Sequence, residues 1–297
     1  MFRPSIQKLS TLILLALFNI VLVLIARNSF QIIQKQGYYE KIKAVEFMRD
    51  AINNIENEFN DSLLGLELSG ITTSVPDSTS QARKVAKEIS LHPNYAAMVV
   101  DMLYTFSDFD QSLKNQKIAI SMTGSYPGLN LAVLSACKAL DIQPIIISSL
   151  GSSPWGANRE QMHWGLIEQF LFDSEIFPFQ SSAYSIGGDF DIGYELDSKD
   201  RKKMIEYLEN NFQSNQIINH KYFNLIETNK KLSKNKLNNI LSNSIHERKQ
   251  KFGDLESYDL YINIGGGAAS IGQHSFRDSL NVGALDILSL QVSLEDN

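Results

Sequence analysis

The chain has 297 residues, 43% hydrophobic and 20% charged, with 33 acidic against 27 basic side chains and a formal net charge of -6. That content supports one large or two small globular cores, and the acidic balance excludes general nucleic-acid binding, which needs a basic face against phosphate. Cys137 is the only cysteine, which rules out an intrachain disulfide and a cysteine-based zinc centre.

Taken in order, residues 1–8 are a short flank carrying Arg3 and Lys8. Residues 9–26 (LSTLILLALFNIVLVLIA) are almost wholly apolar and near the lower length limit for crossing a bilayer. The sequence after them lacks a small-x-small cleavage pattern, so the tract is expected to be an uncleaved signal-anchor, a single-pass transmembrane helix. Lysines and arginines lie on both sides of it, and the balance leans toward a body outside the cytoplasm. Residues 27–75 read as a helical stalk and connector. Val45, Met48, Ile52, Ile55 and Phe59 form a narrow apolar seam, suited to self-association or to packing on the body. GLELSGITTSVPDSTS then reads as a connector with one short strand, LGLEL.

Residues 76–297 are the expected α/β body. A helix starts at Ser80, runs through Ala82, Val85 and Ile89, and stops at Pro93; a second follows through Met98, Val99, Met102 and Phe106. Ile118 to Ile120 make a buried strand that stops at Thr123, Gly124 and Ser125. Leu129, Val133, Ala136 and Leu140 share one face of a helix that Pro127 opens, and Ile145 to Ile147 form the next strand. This strand–helix–strand unit implies a parallel, Rossmann-like sheet with flanking helices, whose ligands lie beyond the carboxyl ends of the strands. Later segments repeat the theme: a helix through Trp164, Ile167 and Leu171, a strand in SSAYSIGGDFDIG, a helix from Lys199 to Phe212, a brief strand in NQIIN, a solvated helix pair from Lys221 to Lys251, and a last strand in YINIGGG.

Four strands thus end in small-residue turns: TGSYPGLN, SSLGSSPWGAN, IGGDFDIG and GGGAASIG. Together they predict a crevice floored by backbone amides, suited to carboxylate or phosphate. Its expected lining is Gly124, Ser125, Asn130, Ser149, Ser152, Trp155, Asn158, Gly187, Gly188, Gly265, Gly266, Gly267 and Ser270. Ser125 occupies a strand-to-helix turn where a hydrolase nucleophile would stand, but GSYPG does not place glycines two residues either side of it, and a helix-capping role fits better. A reactive Ser125 would need a base such as His163 or His274, oriented by Asp189 or Asp191; Asp189 is the second candidate catalytic residue. Two carboxylates alone specify no metal, and no metal ligand set is expected. Gly267 and Gly272 have phosphate-loop spacing, but Gln273 stands where the lysine belongs. The sequence therefore names no cofactor.

The segments GLELSGITTS, HPNYAAMVVDML, GSYPGLNLAVLSACKALDIQPIIISSLGSSPWGAN, SIGGDFDIG and INIGGGAASIG resemble the poly-gamma-glutamate system protein family. The resemblance implies a membrane-anchored accessory protein of bacterial γ-glutamate polymer biosynthesis or export, capsular or released. Its implied partners are the membrane, the other synthesis and export proteins and the anionic polymer, with no nucleic acid. It implies no defined reaction, which leaves open a passive holder, a serine-type amidase or transferase, or a nucleotide-dependent enzyme. The motif residues carried over are Ser125, Pro127, Asn130, Ser149, Trp155, Gly156, Asn158, Gly187, Gly188, Asp189, Gly265, Gly266, Gly267 and Ser270. The closing NVGALDILSLQVSLEDN departs from the family, and truncation or a frameshift is expected there.

Overall fold

The computed structural model describes residues 8–29, 35–63, 80–106, 116–227, 232–253, 257–265 and 267–271. LGLEL, Gly266, His274 and the closing segment lie outside the described residues. Two compact units divide the chain, residues 1–38 and 39–297.

In the first unit the apolar tract forms α1 (Leu9–Ser29), with mean hydropathy 2.8 over an 18-residue stretch and none of its side chains buried. Among the described residues it is the one helix long and apolar enough to cross a membrane.

The second unit is built on a parallel sheet. Its strands are β1 (Ile118–Thr123), β2 (Ile145–Ser149), β5 (Ala183–Ser185) and β6 (Leu260–Asn263), in the order β5-β2-β1-β6. A two-residue hairpin, β3 (Asn158–Arg159) and β4 (Met162–His163), pairs separately. From β1 the chain moves through α5 (Pro127–Ala139) to β2 and on to β5, then returns to the other side of β1 for β6. That reversal is the topological switch point, where open α/β sheets place their ligands. Thr123 pairs with Ser149, and Ile120 with both Ile146 and Ile262. The segment NQIIN contributes a single bridge, Tyr184 to Ile217, rather than a strand.

Strand alternation gives the sheet two unlike faces. Ile118, Ile120, Met122 and Ile146 point into the main core, together with Leu131, Leu134, Ala136 and Val100. The helices supplying those partners are α5 and α4 (Asn94–Phe106). Full burial of each large aliphatic side chain stabilises the fold by about 1.5–3 kcal/mol. By register the opposite face carries Ala119, Ser121 and Thr123, Ile147 and Ser149, Ala183 and Ser185, and Tyr261 and Asn263. It is apolar near its start, where Ala119, Ile147 and Ala183 pack with Phe252, and polar at its carboxyl end.

Of the two readings of the stalk seam the structure shows packing on the body. α2 (Tyr38–Phe59) packs through Ala44, Met48, Ala51 and Ile55, which are wholly buried in the main core. Two other helices differ from what sequence spacing suggests. α3 (Ser80–Ser90) turns Val85 and Ile89 outward, 45% and 52% exposed, and buries Lys87 and Ser90 instead. Its inner face meets α5 at Gly128, where an added Cβ would lie 2.6 Å from the Ser90 carbonyl oxygen, and meets polar turns that need hydrogen bonds. α9 (Lys234–Phe252) is not simply a solvated outer helix. Leu237, Leu241, Ser244, Arg248 and Phe252 form a buried stripe along it, at spacings of four and three.

Candidate functional site

The four small-residue turns converge on the carboxyl edge, but the first two close on each other. The Gly124 amide donates to the Ser149 carbonyl at 3.1 Å, and the Ala157 amide to the Gly124 carbonyl at 2.7 Å. The Ser153 amide donates to Ser125 Oγ at 3.0 Å, and the Ser125 amide to Thr123 Oγ1 at 3.2 Å. At Gly156 a Cβ would stand 2.5 Å from the Gly124 carbonyl oxygen and 2.9 Å from Ser125 Cα. The glycine is therefore required by contact between turns. Many of the amides expected to floor a crevice are engaged by neighbouring turns in the same way, among them Gly151, which donates to the Ile186 carbonyl at 2.7 Å. The last turn reaches the same edge, since a Cβ on Gly265 would stand 2.6 Å from Thr123 Oγ1 and its φ is 118°.

Positive charge at this edge comes from a side chain, Arg248. It is 4% exposed, and its Nη2 donates to Ser149 Oγ and Ser185 Oγ, each at 2.8 Å, at the ends of β2 and β5. Nε and Nη2 also grip the two Asp191 oxygens, each at 3.0 Å. Ser185 Oγ donates to Asp191 at 2.7 Å, and Ser244 on α9 donates to the other carboxylate oxygen. Among the described residues Nη1 has no hydrogen-bond partner, nor is it a sealed, unpartnered buried atom. The loop holding Asp191 is strained: Phe190 and Asp191 have φ of 58° and 61°, a region costly for residues with a Cβ. IGGDFDIG thus bends sharply and sets a carboxylate under the arginine. The arrangement suits an anion, because a guanidinium fixed on one side presents its remaining N–H groups without losing rotamer freedom.

Comparison with known proteins returns nothing. No family model, curated protein or solved structure matches the chain. What the site does is therefore argued from its own geometry.

Ser125 lies between the turns with its hydroxyl accepting from Ser153. It does not cap α5, whose N-cap is Tyr126 with no side-chain cap. His163 shows no hydrogen bond to Ser125 among the described residues. It is buried in β4 edge-on to Tyr207, 4.4 Å between ring centres, and burial lowers its pKa to about 4, so it stays neutral. Asp189 is exposed, and its amide donates to Glu195 at 2.7 Å. Partial enclosure of the Glu195 carboxyl, then the facing Asp189, raise Glu195 above the usual carboxylate range; its exposed surface lets water screen much of this. Asn130 donates from Nδ2 to the Thr123 carbonyl at 2.9 Å, and Asn263 from Nδ2 to the Gly265 carbonyl at 2.7 Å. A carbonyl only accepts, so both amide orientations are fixed, and both Oδ1 atoms are left as buried acceptors without partners. Ser270 Oγ donates to the Gly267 carbonyl, and its own carbonyl accepts from Tyr261.

Among the described residues no group of His, Cys, Asp and Glu could hold a metal ion. A cavity of about 340 Å³ lies apart from this edge, between Ile217, Ile218, Lys221 and the Glu247–Lys251 turn of α9, and none of the expected lining residues borders it. On the other side of β2, Glu168 accepts from Ser181 at 2.7 Å and Ser148 at 3.2 Å. Sequence reasoning missed Arg248, Ser185, Lys87 and Ser153. For Arg248 a signal existed, since it continues the spacing of Leu237, Leu241 and Ser244. For Lys87 the signal pointed the wrong way, because Val85 and Ile89 mark the opposite side of α3 as apolar.

Proposed function

We propose that this is a membrane-anchored accessory protein of γ-glutamate polymer biosynthesis or export. It holds the polymer, or a carboxylate precursor, at the carboxyl edge of the sheet. α1 is the anchor in the bacterial cytoplasmic membrane, and the body lies outside. The observation that carries the reading is Arg248, fixed at the ends of β2 and β5 with Nη1 left over for a ligand. Two buried carboxamide oxygens, on Asn130 and Asn263, add acceptors suited to the N–H groups of a peptide-like chain. The acidic surface would repel a polyanion everywhere else and confine it to such a point. The resemblance of residues 124–158 to the poly-gamma-glutamate system proteins supplies the polymer's identity.

The test is binding of poly-γ-glutamate to the full chain in detergent micelles. Arg248→Lys keeps the charge and loses the fork, and should weaken binding roughly tenfold or more. Equal binding by both proteins, or none by the unaltered chain, would overturn the reading. A topology reporter fused after Asn297 checks the orientation, and a cytoplasmic signal would reverse it.

A further inference from the structure

We propose that the cavity beside α9 is a binding site for a small organic carboxylate, held by Lys221 and Lys251 and separate from the sheet edge. The cavity measures about 340 Å³, at the lower end of the roughly 300–1,000 Å³ usual for small-molecule sites. It lies between the C-terminal half of α9 and the segment from Ser214 to Lys221. Arg248 does not line it, so the site does not depend on the polymer reading.

The segment facing α9 is pinned along its length. Gln216 Oε1 accepts from the Gln213 amide at 3.1 Å, Ile217 bridges to Tyr184, and the Ile218 amide donates to the Tyr184 carbonyl at 2.8 Å. Asn219 then turns the chain with φ of 61°. That turn is held from α9, since the Asn219 amide donates to Glu247 Oε2 at 2.7 Å and its Oδ1 accepts from Asn243 Nδ2 at 2.9 Å. Asn243, Glu247 and Lys251 follow one another at four-residue steps and share one face of α9, beside the buried stripe that delivers Arg248 to β2 and β5. The walls are therefore set before any ligand arrives, which lowers the ordering cost of binding.

The charges divide by whether the protein already uses them. Among the described residues Glu247 is the one carboxylate on the lining, and both its oxygens are taken, Oε2 by the Asn219 amide and Oε1 by Asn243 Nδ2 at 2.7 Å. Lys221 gives one N–H to Asn243 Oδ1 and keeps two. Lys251 makes no hydrogen bond or ion pair among the described residues and keeps all three. His220 is engaged by Glu209, 3.1 Å away and outside the lining. What remains is cationic donors, in a chain whose net charge is -6, and such a place draws an anion locally.

A lysine ammonium is a compact charge with no planar fork, so carboxylate and phosphate suit it alike. Ile217 and Ile218 decide between them, because an apolar wall favours a ligand with a carbon stem over a bare inorganic ion. Ser214, Asn215 and Gln250 add neutral groups that donate or accept along the rest of the lining. The cavity thus fits a small organic acid, its carboxylate on the two lysines and its stem on the two isoleucines.

The full chain in detergent micelles is acetylated with N-hydroxysuccinimidyl acetate, with and without glutarate, and modified lysines are quantified by mass spectrometry. Lys202, whose side chain is 65% exposed, serves as the reference. Glutarate is expected to slow acetylation of Lys221 and Lys251 about fivefold or more relative to Lys202, with half-protection at about 1 mM or below. Glutaramide, its neutral isostere, and inorganic phosphate should protect neither lysine at the same concentration. In Lys251→Gln, protection of Lys221 should need at least about tenfold more glutarate. No protection, or equal protection by glutaramide, overturns the site. Equal protection by phosphate overturns an organic acid as its ligand. Protection that survives in Lys251→Gln and is lost in Arg248→Lys puts the carboxylate at the sheet edge and overturns the cavity site, leaving the holding function standing.

Discussion

Replacing Glu168 with glutamine should flatten the stability of the second unit against pH. Glu168 lies on α6 (Trp164–Asp173), buried behind β2. Burial raises its pKa from 4.5 to about 7, against the opposing pull of hydrogen bonds from Ser181, Tyr184 and Ser148. The folded state therefore holds the proton more tightly than the unfolded chain. The stabilising contribution is whole below about pH 4.5 and is lost as pH rises through about 7. At about 1.4 kcal/mol per pKa unit, the loss by pH 8 is about 3 kcal/mol. Glutamine is neutral throughout and keeps an acceptor for Ser148 and Ser181. Melting temperature measured by circular dichroism from pH 5 to pH 8.5 should fall for the unaltered chain by roughly 6–12 °C more than for Glu168→Gln. Parallel curves for the two proteins would refute the assignment of this pH dependence to Glu168.

Asp191→Ala should cost about 3–5 kcal/mol in urea unfolding, because it leaves the Arg248 guanidinium buried without its counter-charge. The double variant Asp191→Ala with Arg248→Met should recover much of that loss, and simple additivity of the two changes would count against a coupled pair. Gly156→Ala should destabilise by about 2 kcal/mol or more, since its Cβ would stand 2.5 Å from the Gly124 carbonyl oxygen and cannot be accommodated without parting the turns. A melting temperature unchanged within about 2 °C would show that the turns separate easily.

Much of the second unit is legible in its residues because burial there follows periodicity. Ile118, Ile120 and Ile146 are strand-like and fully covered, and Trp164, Ile167 and Leu171 mark the inner face of α6 as their spacing predicts. Legibility fails where the buried face is polar. Lys87 and Arg248 carry charge and would ordinarily be placed in water, yet each is enclosed and matched by acceptors from segments far along the chain: Ser153 and Pro154 for one, Asp191, Ser149 and Ser185 for the other. Their partners are brought near only by the sheet, so periodicity on a single helix has no means of reporting them.

A parallel α/β body, an N-terminal helix apolar enough to span a bilayer, and four glycine- and serine-rich turns at the carboxyl ends of the strands can all be read from the residues alone. Those features are local, set by side-chain spacing and by the residues a strand end tolerates. What the turns do depends on long-range packing. It presses TGSYPGLN and SSLGSSPWGAN together, which engages their amides and explains Gly156, and it delivers Arg248 and Lys87 from α9 and α3 to the same chain ends. Contacts between residues dozens of positions apart depend on strand order and on how helices cross the sheet, neither of which periodicity within one segment encodes.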